Sequence, residues 1–442
     1  MASSAMGNLT AERASGRRSF LFLQGPLSPL YARLADECEA QGHRVARVNF
    51  NVGDRLHWNR KGAVAFKGRI AEWPRFATNL MERDSVTDII MHGERRLYHR
   101  IAAAIARAHG ARVIVTELGY LRPDWMTIEL NGTGAASHFP NDPAAIRLIA
   151  ANAPEIDFAP RYRTQFWRVA APDVAYNLLN TALWWLYPNY RRHTIYYPPL
   201  EYAAWCWRLT GERSRNKAAA IEIERLRATK GPLFVFALQL EGDFQIRHRS
   251  PFSSFSEAIE TVLASFKAHA PMNATLAIKA HPLDNGLDRW RRYLTDAVRR
   301  LNLQSRVVFF DGGALGDVLA GAAGLVTVNS SAGIEALQRG CPVKTLAPAI
   351  YDVDGITHQG PLDSFWTAPA APDPKLVGAF VKALAASVQA RGTIYSREGL
   401  DEAAQNISQR ILQMSRNAPD AYADPAPRRE ALRRMIRERC KR

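Results

Sequence analysis

The sequence is poor in cysteine, and its few cysteines are scattered. The 442 residues include four, at Cys38, Cys206, Cys341 and Cys440, and no two of them form a Cys-x-x-Cys pair. Disulfide-rich secreted domains and structural zinc sites depend on closely spaced cysteines. The spacing therefore indicates reduced thiols in a cytosolic protein and argues against a disulfide framework and a zinc cluster.

Long apolar segments are also missing, and we expect no secretory leader. The N-terminal stretch MASSAMGNLTAERASGRRS contains no apolar core of a signal peptide. Apolar runs such as LFVFAL are short beside the roughly 20 residues that a membrane-spanning helix needs. We expect a soluble protein or one that binds a membrane peripherally.

The familiar nucleotide loops are absent. No GxxxxGK[ST] occurs, and no GxGxxG follows a strand-like segment, which disfavours an ATPase or a dinucleotide-dependent oxidoreductase. No Asp-x-Asp cluster stands at the end of a predicted strand. We therefore expect neither a metal nor a cofactor.

Positive charge is abundant. The net charge is +16 and the pI is about 9.9, so the partner should be anionic: nucleic acid, an acidic membrane leaflet, or a phosphorylated or carboxylated substrate. No nucleic-acid recognition motif is present, and we expect no nucleic acid. Residues 427–442 alone carry eight Lys or Arg against two Glu. This tail is either a solvated helix end or a contact to a membrane or a partner.

The length favours two domains, and two blocks repeat the same pattern of short apolar strands alternating with helices. The predicted strands are SFLFLQGP, HRVARVNF, VTDIIMHG and ARVIVTELG in the first block, then PLFVFALQ, ATLAIKAH, SRVVFF, GLVTVNS and CPVKTLA in the second. Such alternation is typical of parallel sheets covered on both faces. We expect an α/β protein with two Rossmann-like units and a ligand crevice beyond the carboxyl ends of their strands.

The predicted boundaries are 18–230 for the first domain, 231–400 for the second, and 401–442 for C-terminal helices and the basic tail. The first domain includes a helical region, roughly 144–230, with the aromatic and basic stretch WWLYPNYRRHTIYYPPLEYAAWCWRL. This stretch is either a packed helical hairpin or a lipid-facing surface, since Trp and Tyr beside Arg suit a headgroup interface.

Polar residues cluster where the predicted strands end. In NSSAGIEAL, the small polar residues Asn329, Ser330 and Ser331 precede a helix whose free N–H groups attract anions. We expect Gly333 to admit a ligand close to the backbone and Glu335 to accept hydroxyl protons from a ribose. An ordinary helix N-cap is the alternative.

Two further strand ends carry charged groups. Lys279 and His281 stand two residues apart, so on a strand they share a face and can point at one phosphate, while Pro282 fixes the turn. Asp243, four residues after Gln239, is a candidate nucleophile or base, and Glu117 in the first block is a second carboxylate. A pair of carboxylates facing across an interdomain cleft suits glycosyl chemistry.

Six ordered motifs together resemble one protein family. FLFLQGPLSPLYARLADECEAQGHRVARVNFNVGD, ELGYLRPDWMTIE, QLEGD, KAHPLD, NSSAGIEAL and GTIYSREGLDEAAQNI, spread over residues 20–411, resemble the bacterial capsule polysaccharide biosynthesis and export family of KpsS and KpsC, nearer to the single-module KpsS type. The resemblance implies a GT-B glycosyltransferase with two Rossmann-like domains across a cleft. It also implies retaining transfer of β-Kdo from CMP-Kdo to phosphatidylglycerol, as the start of the capsule linker.

The resemblance also implies roles for individual residues. The Q-x-x-x-D motif implies that Asp243 is the catalytic carboxylate, with Gln239 on the donor side. The H-P motif and the serine-rich helix start imply CMP contacts by the donor-side set: Lys279, His281, Pro282, Asn329, Ser330, Ser331, Gly333 and Glu335. Glu117 is the expected acid/base, although Leu118 replaces a second family glutamate and Glu241 is a competing carboxylate.

The first domain would then bind the acceptor and the second CMP-Kdo. The acceptor-side candidates are Gln24, Gly25, Asn51, His92, Tyr120 and Arg122. The expected partners are the nucleotide-sugar donor, an anionic phospholipid, the cytoplasmic face of the inner membrane and the capsule export machinery. Two alternatives stay open, a GT-B transferase for another nucleotide sugar and a non-catalytic export component.

Overall fold

The structure is a computed structural model that describes residues 16–192, 194–241, 250–413 and 421–439. The chain forms two compact units, each built from three segments. Unit 1 comprises Met1–Phe139, Pro154–Thr194 and Leu384–Asp424, and unit 2 comprises Pro140–Ala153, Ile195–Ala383 and Pro425–Arg442. This division differs from the predicted boundaries, because residues 195–230 belong to unit 2 and residues 384–400 belong to unit 1.

The elements follow one another in a largely alternating order. The first part of the chain contains β1 (Ser19–Phe22), α1 (Leu30–Ala40), β2 (Arg44–Asn49), α2 (Val52–Leu56), β3 (Ala63–Ala65), α3 (Trp73–Arg83), β4 (Asp88–His92), α4 (Leu97–Ala108), β5 (Arg112–Leu118), β6 (Trp125–Leu130), α5 (Pro143–Asn152), α6 (Phe166–Ala182), α7 (Pro198–Thr210) and α8 (Glu212–Arg227). Short 3-10 turns occur at Ile70–Glu72, Gly134–Ala136 and Trp184–Leu186.

The second part begins with the central strand of unit 2. It contains β7 (Leu233–Ala237), α9 (Phe255–His269), β8 (Thr275–Lys279), α10 (Trp290–Arg300), β9 (Val307–Phe310), α11 (Leu315–Leu319), β10 (Gly324–Thr327), α12 (Ala332–Gln338), β11 (Val343–Thr345), α13 (Leu362–Phe365), α14 (Pro374–Ser387), β12 (Gln389–Arg391), α15 (Arg397–Gln413) and α16 (Pro427–Arg439). All nine strands named from the sequence are confirmed.

Among the described residues, seven strands form the sheet of unit 1 in the order β12-β6-β5-β4-β1-β2-β3. Strands β1 to β5 pair in parallel, with Phe20 opposite Val45 of β2 and Leu21 opposite Ile89 of β4. Strand β6 is antiparallel to β5, and β12 is antiparallel to β6. The expectation of a wholly parallel sheet is therefore wrong at this edge, where the returning C-terminal segment supplies β12.

The described strands of unit 2 form a parallel sheet in the order β11-β10-β7-β8-β9. Chain connections run from β7 outwards through β8 and β9, then return to β10 on the other side. This is the doubly wound order in which the crevice lies where the direction reverses, between β7 and β10. The two sheets confirm the predicted α/β class with Rossmann-like units; their placement across a cleft stays a prediction.

Apolar residues cover both faces of each sheet. In unit 1, Phe20 and Phe22 belong to one buried cluster, and Leu21 and Leu23 belong to another, as the alternation along a strand requires. In unit 2, all five residues of β7 are buried. Near-continuous apolar strands of this kind are typical of parallel sheets sandwiched between helices.

A buried carboxylate joins three strand starts in unit 1. Asp88 is fully buried and accepts two hydrogen bonds from the Arg18 guanidinium, at 2.8 and 2.6 Å. Its carboxylate also accepts from Arg112 Nε at 2.7 Å and from the Thr87 hydroxyl at 2.7 Å. These hydrogen bonds compensate the negative charge of Asp88 inside the protein. Removing the carboxylate would therefore leave the guanidinium groups of Arg18 and Arg112 without their acidic partner.

We expect Asp88→Ala to lower the free energy of unfolding by about 3–5 kcal/mol, the usual cost of removing one partner of a buried ion pair. Asp84→Ala is the matched control, because Asp84 pairs at the surface with its neighbour Arg83 and such pairs contribute about 0–1 kcal/mol. Urea unfolding followed by circular dichroism measures both. Equal stabilities of the two variants would contradict a stabilising role for the Asp88 cluster.

Candidate functional site

The reversal point of the unit 2 sheet carries a pair of amide side chains. Gln239 follows β7 and Asn329 follows β10. Gln239 Nε2 donates to Asn329 Oδ1 at 3.1 Å, and the Asn329 backbone N–H donates to Gln239 Oε1 at 3.2 Å. Gln239 is buried. The structure thus brings together two predicted donor-side residues at the position where doubly wound sheets bind ligands.

The segment after Asn329 is fixed by local hydrogen bonds. The Ser330 N–H donates to Thr327 Oγ1 at 3.3 Å, and Ser330 Oγ accepts from the Ala332 N–H at 3.2 Å. Ser331 precedes α12 without a side-chain cap and is half-buried. The N-cap residue Ser331 therefore makes no side-chain cap, and a CMP contact by these serines stays a prediction.

The structure shows a packing reason for glycine at position 333, in addition to the predicted approach of a ligand. A Cβ atom at this position would lie 2.3 Å from a ring carbon of Tyr351, far inside van der Waals contact. The Tyr351 hydroxyl donates to the Ser330 carbonyl, so the ring is held in place. Glycine is required here by packing inside the protein. Glu335 lies 3.4 Å from the Arg339 guanidinium, and its ribose contact stays a prediction.

Lys279 and His281 differ in their surroundings. Strand β8 ends at Lys279, so the alternation that predicted a shared face stops before His281. Lys279 is buried and its Nζ donates to the Ala280 carbonyl at 3.2 Å. Burial lowers the pKa of Lys279, and the negative charge of Asp311 partly offsets this.

His281 and Pro282 form the turn that follows β8. The Leu283 N–H donates to His281 Nδ1 at 3.0 Å, and Pro282 is exposed. The predicted role of Pro282 in fixing this turn agrees with its place, and contacts of either residue to a donor phosphate stay predictions.

Of the two carboxylates in QLEGD, the structure describes only one. Asp243 lies outside the described residues, so its catalytic role stays a prediction. Glu241 is described, and its carboxylate accepts from the Phe255 N–H at 3.2 Å, the first residue of α9. Within the described ranges no three His, Cys, Asp or Glu side chains are grouped to hold a metal ion.

In unit 1, Gln24 and Asn51 meet around a tyrosine from α6. Gln24 Nε2 donates to Asp54 Oδ1 at 2.9 Å and to the Tyr176 hydroxyl at 2.5 Å. Asn51 Nδ2 donates to the same hydroxyl at 2.7 Å, and Asn51 Oδ1 caps α2 by accepting from the Asp54 N–H at 2.8 Å. We call Gln24, Asn51, Asp54 and Tyr176 the unit 1 polar cluster; sequence analysis missed the last two.

A second chain of contacts extends from this cluster. Gln24 Oε1 accepts from Arg96 at 2.9 Å. His92 Nδ1 lies 3.1 Å from the Thr116 hydroxyl, which lies 2.8 Å from the Tyr31 hydroxyl. Burial, with the positive charge of Arg96 as the smaller cause, lowers the pKa of His92 to about 3. The imidazole is therefore neutral near pH 7.

Arg47 is the other residue that the sequence analysis missed. It is buried within β2, donates from Nε to Asn49 Oδ1 at 3.0 Å, and also donates to the Leu23 carbonyl. Burial lowers its pKa, opposed by the negative charge of Asp54. An arginine between apolar residues in RVARVNF is the sequence signal that could have identified it.

The other acceptor-side candidates have contacts of their own. Gly25 packs against the Tyr31 ring, where a Cβ would lie 2.8 Å from a ring carbon. The Tyr120 hydroxyl donates to Glu129 at 2.9 Å, and Arg122 Nε donates to the Gly119 carbonyl at 3.4 Å. Glu117 is half-buried at the end of β5. None of these contacts tests acceptor binding.

The aromatic and basic stretches expose several large side chains. In unit 1, Trp184 and Trp185 are 62% and 56% exposed, and in unit 2 Trp207 is 80% exposed. In the tail, Arg428 is buried and donates to the carbonyls of Ala349, Ile350 and Pro140. No helix in the described parts of the chain is long and apolar enough to cross a bilayer. Lipid contact by these stretches stays a prediction.

The fold defines an α/β protein whose second unit has a doubly wound sheet with a pair of hydrogen-bonded amide side chains at its reversal point. Residues 87–395 match the family model described as "Capsule polysaccharide biosynthesis protein". The chain is 30% identical over 393 residues to "Capsule polysaccharide export protein KpsS" of Escherichia coli, covering 88% of this chain and 100% of that protein. The chain therefore belongs to the capsule polysaccharide biosynthesis family, as its motifs predicted.

A second curated relative agrees with this family. "Capsule polysaccharide modification protein LipB" of Neisseria meningitidis serogroup A is 30% identical over 396 residues, covering 86% of this chain and 92% of that protein. Among solved structures, "Thermosulfurimonas dismutans KpsC, beta Kdo 2,7 transferase" is 14% identical with a TM-score of 0.43, covering 89% of this chain and 99% of that one.

The low pKa of His92 makes stability depend on pH. The folded-state pKa lies below the ordinary value of 6.5, so the unfolded chain binds more protons as the pH falls below that value. The contribution of neutral His92 to the free energy of unfolding is therefore fully present above pH 6.5. It is lost on acidification, at about 1.4 kcal/mol per pH unit for one such group. When the pH falls from 6.5 to 5, we expect the free energy of unfolding of His92→Gln to decrease by about 2 kcal/mol less than that of wild type.

Urea unfolding at several pH values measures this difference. At pH 8 both proteins have a neutral side chain at this position, so comparison there isolates the cost of the substitution itself. A wild-type pH slope retained in the variant would show that His92 is not the titrating group.

Proposed function

We propose that the chain is a glycosyltransferase that transfers β-Kdo from CMP-Kdo to phosphatidylglycerol with retention of configuration. Family membership and the motif resemblance supply the donor and the acceptor. The observation that carries the proposal is the hydrogen-bonded pair of Gln239 and Asn329 at the reversal point of the unit 2 sheet. A nucleotide bound there would lie where doubly wound sheets generally bind nucleotides.

In the proposed mechanism, Asp243 attacks the anomeric carbon of Kdo. The bond to the CMP phosphate oxygen breaks, CMP leaves with the electron pair, and a glycosyl–Asp243 ester forms. A lipid hydroxyl then displaces the carboxylate, so two inversions give net retention. We propose that Glu117, as the acid/base, accepts the hydroxyl proton, with Glu241 as the competing carboxylate. Gln239, four residues before Asp243, is fixed by Asn329 and anchors the start of this motif.

Leaving-group charge would develop on the single phosphate of CMP. Lys279 ends β8, the strand adjacent to β7, and His281 follows it. Cationic groups placed near the departing phosphate favour its release. Lys279 is suited to this role because its ammonium group is already buried and loses little further hydration when an anion approaches.

The net charge of +16 suits an anionic lipid surface, and we place the protein at the cytoplasmic face of the inner membrane. The partners would be the CMP-Kdo donor, the lipid acceptor and the capsule export machinery. A transferase for another nucleotide sugar would use the same crevice. A non-catalytic export component would need neither the crevice nor Asp243, so one assay separates the three.

The test is a transfer assay with CMP-Kdo generated in situ and fluorescent phosphatidylglycerol. We expect product from wild type and at least about a thousandfold less from Asp243→Ala, because loss of a catalytic nucleophile typically costs this much or more. Asp296→Ala is the matched control, since Asp296 is exposed on α10, and it should retain wild-type activity.

The other results are also informative. Wild type that binds CMP without forming product would contradict the Kdo or lipid assignment and favour another sugar or acceptor. Full activity of Asp243→Ala would reject the nucleophile. Absence of both product and CMP binding would favour the export component.

A further inference from the structure

A cleft of about 510 Å³ lies in unit 2 beside the end of β8, where the charges of its lining residues Asp311 and Arg208 act on the proposed donor-side residue Lys279. Helix α7 forms one wall. The segment from Asp284 to Arg291, which includes the first two residues of α10, forms the other wall together with Phe309 and Asp311. Gln239 and Asn329 are not among its lining residues. The proposed transfer reaction assigns this cleft no role.

The cleft has an excess of positive charge. Its lining includes four arginines, Arg208, Arg215, Arg289 and Arg291, against the carboxylates of Asp284 and Asp311. Asp311 is already paired, at 2.8 Å with Arg208 and 3.6 Å with Arg215. In the described parts of the chain, Arg289 and Arg291 have no carboxylate partner, and both are exposed. An anion is the complementary ligand.

Arg208 gives a second indication of an anionic ligand. Its side chain is 14% exposed, and its Nε is buried without a hydrogen-bond partner among the described residues. A buried donor left unsatisfied is destabilising, and an acceptor oxygen from a bound ligand would satisfy it. Phosphate matches this need because arginine binds its oxygens in a fork-like geometry.

The rim of the cleft is apolar and exposed. Leu200, Ala204 and Trp207 share one face of α7, at helical spacing, and line the cleft together with Arg208. Leu200 is 54% exposed and Trp207 is 80% exposed. Exposed tryptophan and leucine beside arginines are typical of surfaces that enter the headgroup region of a bilayer. A small soluble anion would not require this rim.

We propose that this cleft docks unit 2 on the membrane by binding the phosphate of an anionic phospholipid. The arginines hold the phosphate, while Trp207 and Leu200 enter the headgroup region. The inference rests on the proposed function for the choice of phosphatidylglycerol and adds to it a lipid-binding site on the nucleotide-binding unit. Docking here would keep the enzyme at the surface that contains its acceptor.

The first test is vesicle sedimentation of the full-length protein at low ionic strength. Vesicles contain equal parts of phosphatidylglycerol and phosphatidylcholine, or phosphatidylcholine alone. The variant is Arg289→Glu with Arg291→Glu. Its matched control is Arg292→Glu with Arg299→Glu, which makes the same charge change at exposed positions of α10 outside the cleft lining. The basic tail is unchanged in both proteins.

We expect wild type to bind the phosphatidylglycerol vesicles and not the neutral ones. Each arginine near an anionic surface contributes about 1 kcal/mol, or about fivefold in partitioning, so the cleft variant should bind at least about 25-fold more weakly. The control should stay within about fivefold of wild type. If the two variants lost vesicle binding equally, the weakening would be due to net charge alone and the proposal would be overturned. Failure of wild type to bind phosphatidylglycerol vesicles would also overturn it.

The second test places a reporter beside the rim. Cys206 is exposed on α7, and in a Cys440→Ser background it can carry an environment-sensitive fluorophore. We expect phosphatidylglycerol vesicles to increase its emission, and Trp207→Ala to reduce that change. No change on binding would overturn the proposed orientation.

Nucleotide binding separates this inference from the proposed function. The cleft variant should bind CMP as wild type does, and a loss of CMP binding would reassign the cleft to the nucleotide. Conversely, a wild type that lacks transferase activity but binds vesicles through the cleft would reject the proposed function and retain the docking site.

Discussion

The order of the strands in unit 2 is the constraint from which the proposed site follows. Because β7 and β10 are neighbours although some 90 residues separate them, the segments leaving them are close together. The hydrogen bonds between Gln239 and Asn329 join these segments and leave little freedom at the start of QLEGD. A parallel sheet with this winding would thus support the proposed nucleotide site without a glycine-rich phosphate loop.

In unit 1, polar side chains at the strand ends are hydrogen-bonded to a tyrosine of a helix. Helix α6 places Tyr176 on Gln24 and Asn51, so these polar groups are satisfied within the protein. A buried polar network with its partners in place favours one arrangement of the elements that contribute to it. The unit 1 polar cluster therefore fixes α6 against the sheet, and its effect on acceptor binding would be through the position of this helix.

The sequence predicted elements with strong local patterns and missed contacts set by distant packing. The apolar runs at Phe20–Leu23 and Leu233–Ala237 determine strands almost by themselves. The antiparallel edge of the unit 1 sheet could not be predicted from a local pattern. There Gln389 of β12 pairs with Thr127 of β6, which is far away in the sequence. The cleft was missed for a similar reason: Arg208 meets Asp311 only after two segments pack together. The packing of Gly333 against Tyr351 was missed as well, because Tyr351 is not recognisable as its neighbour from local sequence.

Calorimetric titration with CMP tests the central claim most directly, because it needs neither the sugar nor the lipid. Wild type should bind CMP, and Gln239→Ala should weaken binding at least about tenfold, equivalent to about 1.4 kcal/mol. Gln338→Ala, exposed at the far end of α12, should bind like wild type. Equal affinities of wild type and Gln239→Ala, or no CMP binding by wild type, would contradict a nucleotide site at the reversal point of the sheet.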